Sequence, residues 1–187
     1  MTRVGVLALQ GDVREHVQLL ESLGVQAVPV KKPHELDDLD ALVVPGGEST
    51  TIGKMAVRFG VLEPLRKAIG SGLPVYGTCA GLILLSSAIS DGDQPLIGAL
   101  DVVVKRNAFG RQNESFEAEI NVDGLESPFH AVFIRAPWIE KVGSDVDVLA
   151  SIEDHPVMVR QEKILATSFH PELTGDRRIH QILLELI

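Results

Sequence analysis

The sequence contains very little cysteine: one residue, Cys79, in a chain of 187. A single cysteine excludes a disulfide bond within the chain, and such sparing use is typical of proteins in a reducing cytoplasm. The first residues show no signal-peptide pattern, because Gln10, Gly11 and Asp12 interrupt a short apolar run. We therefore expect a cytoplasmic protein.

Positive charge is also scarce. Lysine and arginine number 17 against 26 aspartates and glutamates, which gives a net charge of −9 and a pI near 5.1. This balance argues against a surface that binds nucleic acid or an anionic membrane. No apolar run approaches the length that spans a bilayer. We expect neither nucleic acid nor membrane among the partners.

Linkers, internal repeats and low-complexity tracts are absent, so residues 1–187 are interpreted as a single domain. In the first half, short runs rich in Val and Ile alternate with helical patterns. This alternation predicts an α/β fold with a mainly parallel sheet covered on both faces. The predicted strands are Arg3 to Leu9, Gln26 to Val30 and Ala41 to Val44, and the predicted helices are Val13 to Leu23, capped by Asp12, and Val61 to Ile69.

From Leu100 onward, strand patterns dominate until a final amphipathic helix. "RQEK" fits a hairpin turn between the last two strands. The predicted elements are strands at Asp101 to Lys105, Phe116 to Val122, Ala131 to Ile134, Val146 to Ile152, Val157 to Val159 and Ile164 to Ser168, and a helix at Asp176 to Leu186.

Cys79 lies in "PVYGTCAGLILLSSA", where an apolar strand runs into a turn flanked by Gly77 and Gly81 and then into a helical pattern. A strand, a sharp turn and a helix form a nucleophile elbow, which exposes one side chain at the carboxyl edge of the sheet. The start of the helix favours the thiolate form of the cysteine. A buried, inert cysteine is the alternative, and a partner base would decide between the two.

His170 is the best candidate for that base, because it closes the apolar strand of "KILATSFHPEL". In an extended chain residues i and i+2 point to the same side, so Glu172 is expected to reach the imidazole of His170. Such a carboxylate fixes the tautomer of a catalytic histidine. The other five histidines lie in polar, helical or loop surroundings without a companion pattern, at positions 16, 34, 130, 155 and 180.

"LVVPGGEST" follows another apolar strand, and the amides of Gly46 and Gly47, with that of Ala80, suit an oxyanion hole. A phosphate loop is excluded, because Glu48 occupies the position of its first glycine and Met55 replaces its Ser or Thr. We expect no metal, since the sequence lacks a cysteine pair or an HExxH motif.

"VPGGEST", "YGTCAGLILL" and "SFHPEL" resemble the class I, or triad, glutamine amidotransferases, whose fold is a three-layer α/β sandwich. More narrowly, "VGVLALQGDVREH" and "VVVKRNAFGRQNESFEAEI" are similar to the family of glutaminase subunits of pyridoxal 5'-phosphate synthase. The resemblance runs from Val4 to the final helix. It implies hydrolysis of L-glutamine to glutamate and ammonia.

The resemblance implies a role for each matching position. Cys79 would be the nucleophile, His170 the general base and acid, and Glu172 the orienting carboxylate. Glutamine would be held by the loop Gly46, Gly47 and Glu48, by Arg106, and by the pair Ile134 and Arg135. The ammonia would pass to a separate synthase subunit, and the glutaminase would be nearly idle until it docks there. No cofactor is expected on this chain, which shows no phosphate loop or Schiff-base lysine signature.

Three alternatives stay open at this point. The chain resembles other amidotransferase glutaminases in its triad motifs. The protease and chaperone branch shares the elbow, but there a histidine commonly follows the cysteine, whereas Ala80 does here. A scaffold protein with a dead triad is a third possibility, although the three catalytic positions are intact.

Overall fold

The computed structural model describes residues 1–106 and 115–187, so most of "RNAFGRQ" lies outside the described residues. The strands are β1 Arg3–Leu7, β2 Gln26–Val30, β3 Ala41–Val44, β4 Val75–Thr78, β5 Ser86–Ile89, β6 Leu100–Lys105, β7 Ser115–Ile120, β8 Phe129–Ile134, β9 Trp138–Val142, β10 Asp147–Ile152, β11 His155–Gln161 and β12 Ile164–Thr167. The helices are α1 Val13–Ser22, α2 Ser49–Arg58, α3 Leu62–Gly70, α4 Ala80–Leu85 and α5 Arg178–Leu184, with short 3-10 turns at Pro33–Leu36 and Pro171–Leu173.

A seven-stranded sheet in the order β10-β11-β12-β4-β3-β1-β2 forms the centre of the fold. The strands from β12 through β2 pair in parallel, whereas β10 and β11 are antiparallel additions at one edge. The predicted mainly parallel sheet is confirmed. The carboxyl ends of β1, β3, β4 and β12 meet at one edge, which is where ligands bind in such sheets.

Alternating residues of β3 show why the sheet is covered on both faces. Leu42 and Val44 join the core formed with α2, α3 and α4, whereas Ala41 and Val43 join the core formed with α1 and α5. Successive side chains of a strand point to opposite faces, so a continuously apolar strand needs helices on each side. The three-layer α/β sandwich is confirmed.

Two smaller sheets extend these layers. Strands β5, β6 and β9 form a three-stranded sheet whose buried side chains join the core beside α2 to α4. The hairpin β7-β8 packs on the other face, with stacked rings of Phe116 and Phe133. The hairpin between β11 and β12 turns at "RQEK", as predicted, with Gln161 paired to Ile164.

Some element boundaries differ from the sequence expectations. The first strand ends at Leu7 and the final helix spans Arg178–Leu184, both shorter than predicted. Helix α2 and strands β5 and β9 were not predicted. Helix α2 opens on Ser49, Thr50 and Thr51, residues of low helix propensity, and it is stabilised by Glu48, whose carboxylate accepts hydrogen bonds from the amides of Thr50 and Thr51.

Within the part of the chain that the structure describes, every helix is too short or too polar to cross a membrane.

Candidate active site

Cys79 occupies the predicted elbow between β4 and α4. Its backbone has φ 49° and ψ −101°, a conformation that residues other than glycine rarely adopt and that costs roughly 1–3 kcal/mol. The turn also brings Gly81 against β3, where a Cβ atom would lie 2.0 Å from the carbonyl oxygen of Val44. Only glycine fits there, so the glycine after the cysteine is explained by close packing.

The surrounding backbone holds Cys79 in place. Its amide donates to the carbonyl of Thr167 at the end of β12 (2.8 Å), and its Sγ lies 3.9 Å from the carbonyl oxygen of Ile134. The residue is 7% exposed. The thiol is therefore sheltered and oriented from two neighbouring strand ends.

His170 and Glu172 form a buried pair, with 2.7 Å between Nδ1 and Oε1. The predicted contact is confirmed, but its geometry is not that of an extended strand. The sheet ends at Thr167, and the 3-10 turn Pro171–Leu173 brings Glu172 back to the ring. Pro171 starts that turn, since its fixed φ suits the first helical position.

The environment of His170 favours its charged form. Burial by itself lowers the pKa, but interactions with Asp12, Cys79 and Glu172 overcome it and raise the pKa of His170 to about 12. Burial raises the pKa of Glu172, while the hydrogen bond and charge of His170 oppose that rise. An imidazolium between a carboxylate and a thiol is suited to stabilise a thiolate.

Asp12 has a different role from the one expected. It precedes α1, but its side chain makes no cap hydrogen bond to that helix, so the predicted cap is wrong. Its Oδ2 instead lies 3.5 Å from Nδ1 of His170. The imidazole thus faces two carboxylates, Asp12 at the mouth and Glu172 in the interior.

The glycine loop is fixed by residues that follow β1. The amide of Asp12 donates to the carbonyl oxygen of Gly46 (3.0 Å), and the amide of Glu48 donates to Oε1 of Gln10 (2.7 Å). Gly47, between these two hydrogen bonds, has φ 152°. The peptide group joining Gly46 and Gly47 is therefore held at its carbonyl end by Asp12.

A cavity of about 340 Å³ opens at this edge of the sheet. Its size lies at the small end of the range for ligand pockets. The predicted site residues that line it are Gly47, Glu48, Cys79, Arg106, Ile134, Arg135 and His170, together with Gln10, Asp12, Ser49, Ile83 and Leu173. Gly46, Ala80 and Glu172 lie behind this lining, buried next to residues that form it.

Arg106 reaches the cavity from the end of β6. Its side chain pairs with Asp91 (3.3 Å between Nε and Oδ1), and its Nη1 donates to Thr50 Oγ1 and Gln94 Oε1, each at 3.2 Å. Arginine presents five donors in a planar fork. Nη2 also donates to the carbonyl oxygen of Asp91 (2.9 Å), so these contacts anchor the fork and leave one N–H of Nη2 for a bound carboxylate.

Ile134 is the last residue of β8 and Arg135 follows it, and both line the cavity. Arg135 has φ 43°, an uncommon left-handed backbone that turns the chain sharply at the cavity, and its side chain is exposed. Its cationic group is thus available at the mouth.

Asp12, His170 and Glu172 place possible metal-ligand atoms within 4.8 Å of one another. Two ligands of one tetrahedral zinc ion lie roughly 3.3 Å apart when each bond is about 2.0 Å. The 2.7 Å between His170 Nδ1 and Glu172 Oε1 is shorter and fits a hydrogen bond. We assign this grouping to hydrogen bonding.

Sequence reasoning missed His16 and His180, which are fully buried behind Glu172. Each occupies an apolar helix face. His16 shares the inner face of α1 with Leu20, and His180 shares that of α5 with Leu183. The available signal was the spacing of each histidine from apolar residues on the same helix face. Because neither histidine belongs to a recognisable motif, no role could be predicted for them.

A three-layer α/β sandwich with a cysteine elbow beside a histidine-carboxylate pair is the arrangement of the triad glutamine amidotransferases. The chain belongs to the SNO glutamine amidotransferase family, whose model matches residues 6–187.

Similar proteins agree with this assignment. "Pyridoxal 5'-phosphate synthase subunit PdxT" of Parafrankia sp. is 61% identical over 188 residues, which covers 99% of this chain and 93% of the relative. A solved structure, "Crystal structure of glutamine amidotransferase", superposes with a TM-score of 0.94 at 55% identity and covers 98% of this chain and 97% of that one. The structure of PurLQS from Thermotoga maritima, with a TM-score of 0.68 and 17% identity over 98% of each chain, shares the fold alone.

Proposed function

We propose that this chain is the glutaminase subunit of pyridoxal 5'-phosphate synthase, and that Cys79, His170 and Glu172 are its catalytic residues. The observation that carries the proposal is the buried His170–Glu172 pair, 2.7 Å apart, beside the strained Cys79 elbow. Full-length similarity to the PdxT subunit supports the synthase assignment over another amidotransferase. Membership of an amidotransferase family weighs against the protease and chaperone branch.

The first half of the reaction uses the Cys79 thiolate and the protonated imidazole of His170. The Cys79 thiolate attacks the γ-carboxamide carbon of glutamine, and the carbonyl π electrons move onto oxygen. Amides of Gly46, Gly47 and Ala80 donate to that oxyanion. As the intermediate collapses, the C–N bond breaks, and His170 gives its proton to the leaving nitrogen, which departs as ammonia.

The second half returns the enzyme to its starting state. His170, now neutral, accepts a proton from water as that water attacks the γ-glutamyl thioester. Collapse breaks the C–S bond and releases glutamate and the thiolate. Glu172 keeps Nδ1 of His170 protonated throughout, so that Nε2 faces the reacting atoms in both steps.

Substrate recognition follows from the charges around the cavity. Glutamine carries an α-carboxylate and an α-ammonium group at the end remote from the reacting amide. Arg106, anchored by Asp91, and Arg135 are suited to the carboxylate. Glu48 is an acidic side chain that lines the cavity and suits the ammonium group. Ile134 packs along the aliphatic part.

The ammonia leaves toward a synthase subunit. Ammonia is protonated in bulk water and then ceases to be a nucleophile, so a glutaminase that supplies a synthesis is best docked directly on its acceptor. The carboxyl edge of the central sheet, where the cavity opens, is the proposed docking face. The single cysteine, free and buried, is consistent with a cytoplasmic location, which stays a prediction.

A glutaminase assay with and without the synthase subunit tests this function. We expect glutamate release that depends on glutamine, rises when the synthase is added and disappears in Cys79→Ala. A glutamine-like electrophile should add once, at Cys79, in the parent chain. Peptidase activity without glutaminase activity would favour the protease branch, and no activity in either state would favour a dead-triad scaffold.

A further inference from the structure

Two buried histidines continue the line of the His170–Glu172 pair into the core. Nε2 of His16 lies 3.5 Å from Oε2 of Glu172 and 3.3 Å from Oγ1 of Thr78. Nδ1 of His16 lies 2.9 Å from Nε2 of His180. Oε1 of Glu172 is taken by His170, whereas Oε2 is buried and has no hydrogen-bond partner among the described residues. Nε2 of His16, at 3.5 Å, is a polar group beside this unsatisfied oxygen.

Both core histidines are neutral. Burial is the largest cause that lowers the pKa of His16, and neighbouring His180 and His170 lower it further. Burial also lowers the pKa of His180, to about 3. Each ring therefore carries one proton, on one of its two nitrogens.

Two proton arrangements are compatible with the 2.9 Å contact between the rings. If Nδ1 of His16 donates to His180, then Nε2 of His16 turns a lone pair toward the Glu172 carboxylate. In addition, Nδ1 of His180, which has no hydrogen-bond partner within residues 1–106 and 115–187, would carry a buried proton without an acceptor. This arrangement places a lone pair against a carboxylate and leaves a donor unsatisfied.

The opposite arrangement avoids both problems. Nε2–H of His180 donates to Nδ1 of His16, and Nε2–H of His16 points toward Glu172 and Thr78. The unpaired Nδ1 of His180 is then an acceptor, and buried acceptors without a partner are more common than buried donors without one.

We infer that His16 is a positioning residue for the reaction: as a neutral ring protonated at Nε2, it donates toward Glu172 Oε2 and holds that carboxylate ionised and facing His170. This inference rests on the proposed function of Glu172. His180 acts one step further back, because its proton fixes the tautomer of His16. A row of four residues thus passes from the apolar core to the reacting atoms, in the order His180, His16, Glu172 and His170.

Two substitutions of His16 separate donation from packing. In His16→Gln the side-chain amide nitrogen takes the place of Nε2 and keeps a donor, whereas His16→Leu removes the donor and keeps apolar volume. Ser86→Ala is the control, since it removes a fully buried hydroxyl that donates to the carbonyls of Ile83 and Ala88. A hydrogen bond to a charged group accounts for roughly a 10- to 100-fold effect.

We expect His16→Leu to lower kcat roughly 10- to 100-fold with KM for glutamine unchanged. His16→Gln should recover most of that loss, and Ser86→Ala should retain parental kcat. The assay uses the full chain with the synthase subunit. Equal activity of the Leu variant and the parent would overturn the inference, as would equal losses in the Leu and Gln variants.

A pH profile adds a measurement that a structural defect alone does not move. In the described part of the chain, the titratable groups facing Glu172 are His170 on its own turn, His16 from α1, Asp12 just before α1, and Tyr76 from β4. Loss of a donor to a carboxylate makes protonation easier, so the acid limb of kcat/KM should move to higher pH in His16→Leu. The acid limb should stay in place in Ser86→Ala.

Nitrogen-15 NMR of histidine-labelled parent chain tests the inference without any variant and without activity. We expect His16 and His180 to be neutral and protonated at Nε2 at pH 7. A neutral His16 protonated at Nδ1, or a charged His16, contradicts the inference. If instead Cys79→Ala retains glutaminase activity, the proposed function fails while the tautomer result still stands as a separate finding.

Discussion

Asp12 and His170 face each other across the sheet edge, with 3.5 Å between Oδ2 and Nδ1, although Asp12 stands where a helix cap is expected. The Asp12 carboxylate adds negative charge beside the imidazole of His170, whose Nδ1 already lies 2.7 Å from Oε1 of Glu172. Asp12 is 36% exposed on its side chain and Glu172 is buried, so the two carboxylates contribute differently. Exposed charge is screened by solvent, and the buried partner governs orientation.

Asp12→Asn tests this division of roles. The substitution removes a negative charge near the imidazolium, so the pKa of His170 should fall, and turnover should decrease only a few-fold because Glu172 still orients the ring. Unfolding in urea at pH 7 should show a modest loss of stability, because a lower pKa of the charged His170 is itself a loss of folding free energy. NMR titration of His170 measures the pKa. An unchanged pKa of His170 would show that the charge of Asp12 does not act on the imidazole.

His170→Asn and Glu172→Gln should differ in severity. Removing the base eliminates proton transfer, whereas removing the orienting carboxylate leaves a base that is placed correctly part of the time. Glu172→Gln should retain roughly 10- to 100-fold more synthase-stimulated turnover than His170→Asn. Initial rates of glutamate release at saturating glutamine give the comparison. The reverse order would show that the roles are assigned wrongly.

The strained backbone at Cys79 predicts a difference in stability between two inactive variants. Its φ of 49° with ψ of −101° is costly for any residue with a Cβ atom. Cys79→Gly should therefore be more stable than Cys79→Ala by about 1 kcal/mol, even though glycine normally destabilises the folded state through backbone entropy. Both variants should be inactive. Thermal unfolding of the two inactive proteins, compared directly, decides the point. Equal stabilities would mean that the elbow is unstrained.

The sequence alone predicted much of this site because its signals are local. The elbow at Cys79 follows from small residues between a strand and a helix, and the His170–Glu172 pairing follows from short spacing. The part that it could not predict depends on distant contacts. His16 meets His180 across 164 positions, and Asp12 meets His170 only after the ends of β1 and β12 come to one edge. Helix α2 was missed because Glu48 stabilises a start of low intrinsic propensity.

The buried histidines make stability depend on pH in a defined direction. His180 has a folded pKa near 3 against an ordinary value of 6.5, so below pH 6.5 the unfolded chain binds a proton that the folded chain does not. Stability should fall between pH 6.5 and about 3, by up to about 1.4 kcal/mol per pH unit for that histidine. His180→Phe should show a shallower fall. Urea denaturation at several pH values measures both slopes, and parallel slopes would refute a buried neutral His180.

Gly47→Ala tests the idea that the glycine loop is the switch through which the synthase activates this subunit. The peptide group joining Gly46 and Gly47 is held by the amide of Asp12, and a Cβ atom on Gly47 would lie 2.5 Å from Oε1 of Gln10. Alanine is also strained at the φ of Gly47, so the loop should lose the freedom to turn an amide toward the oxyanion.

Loss of one oxyanion donor slows catalysis roughly 100- to 1000-fold, so Gly47→Ala should reduce synthase-stimulated turnover on that scale. Docking should weaken far less, because the loop contributes a small part of the proposed docking face. Turnover and binding to the synthase are measured on the same preparation, with Ser87→Ala as a control on a strand remote from the loop. If the isolated parent chain hydrolyses glutamine as fast as the complex, the loop is already in its active orientation and the switch is wrong, whereas the triad assignment is unaffected.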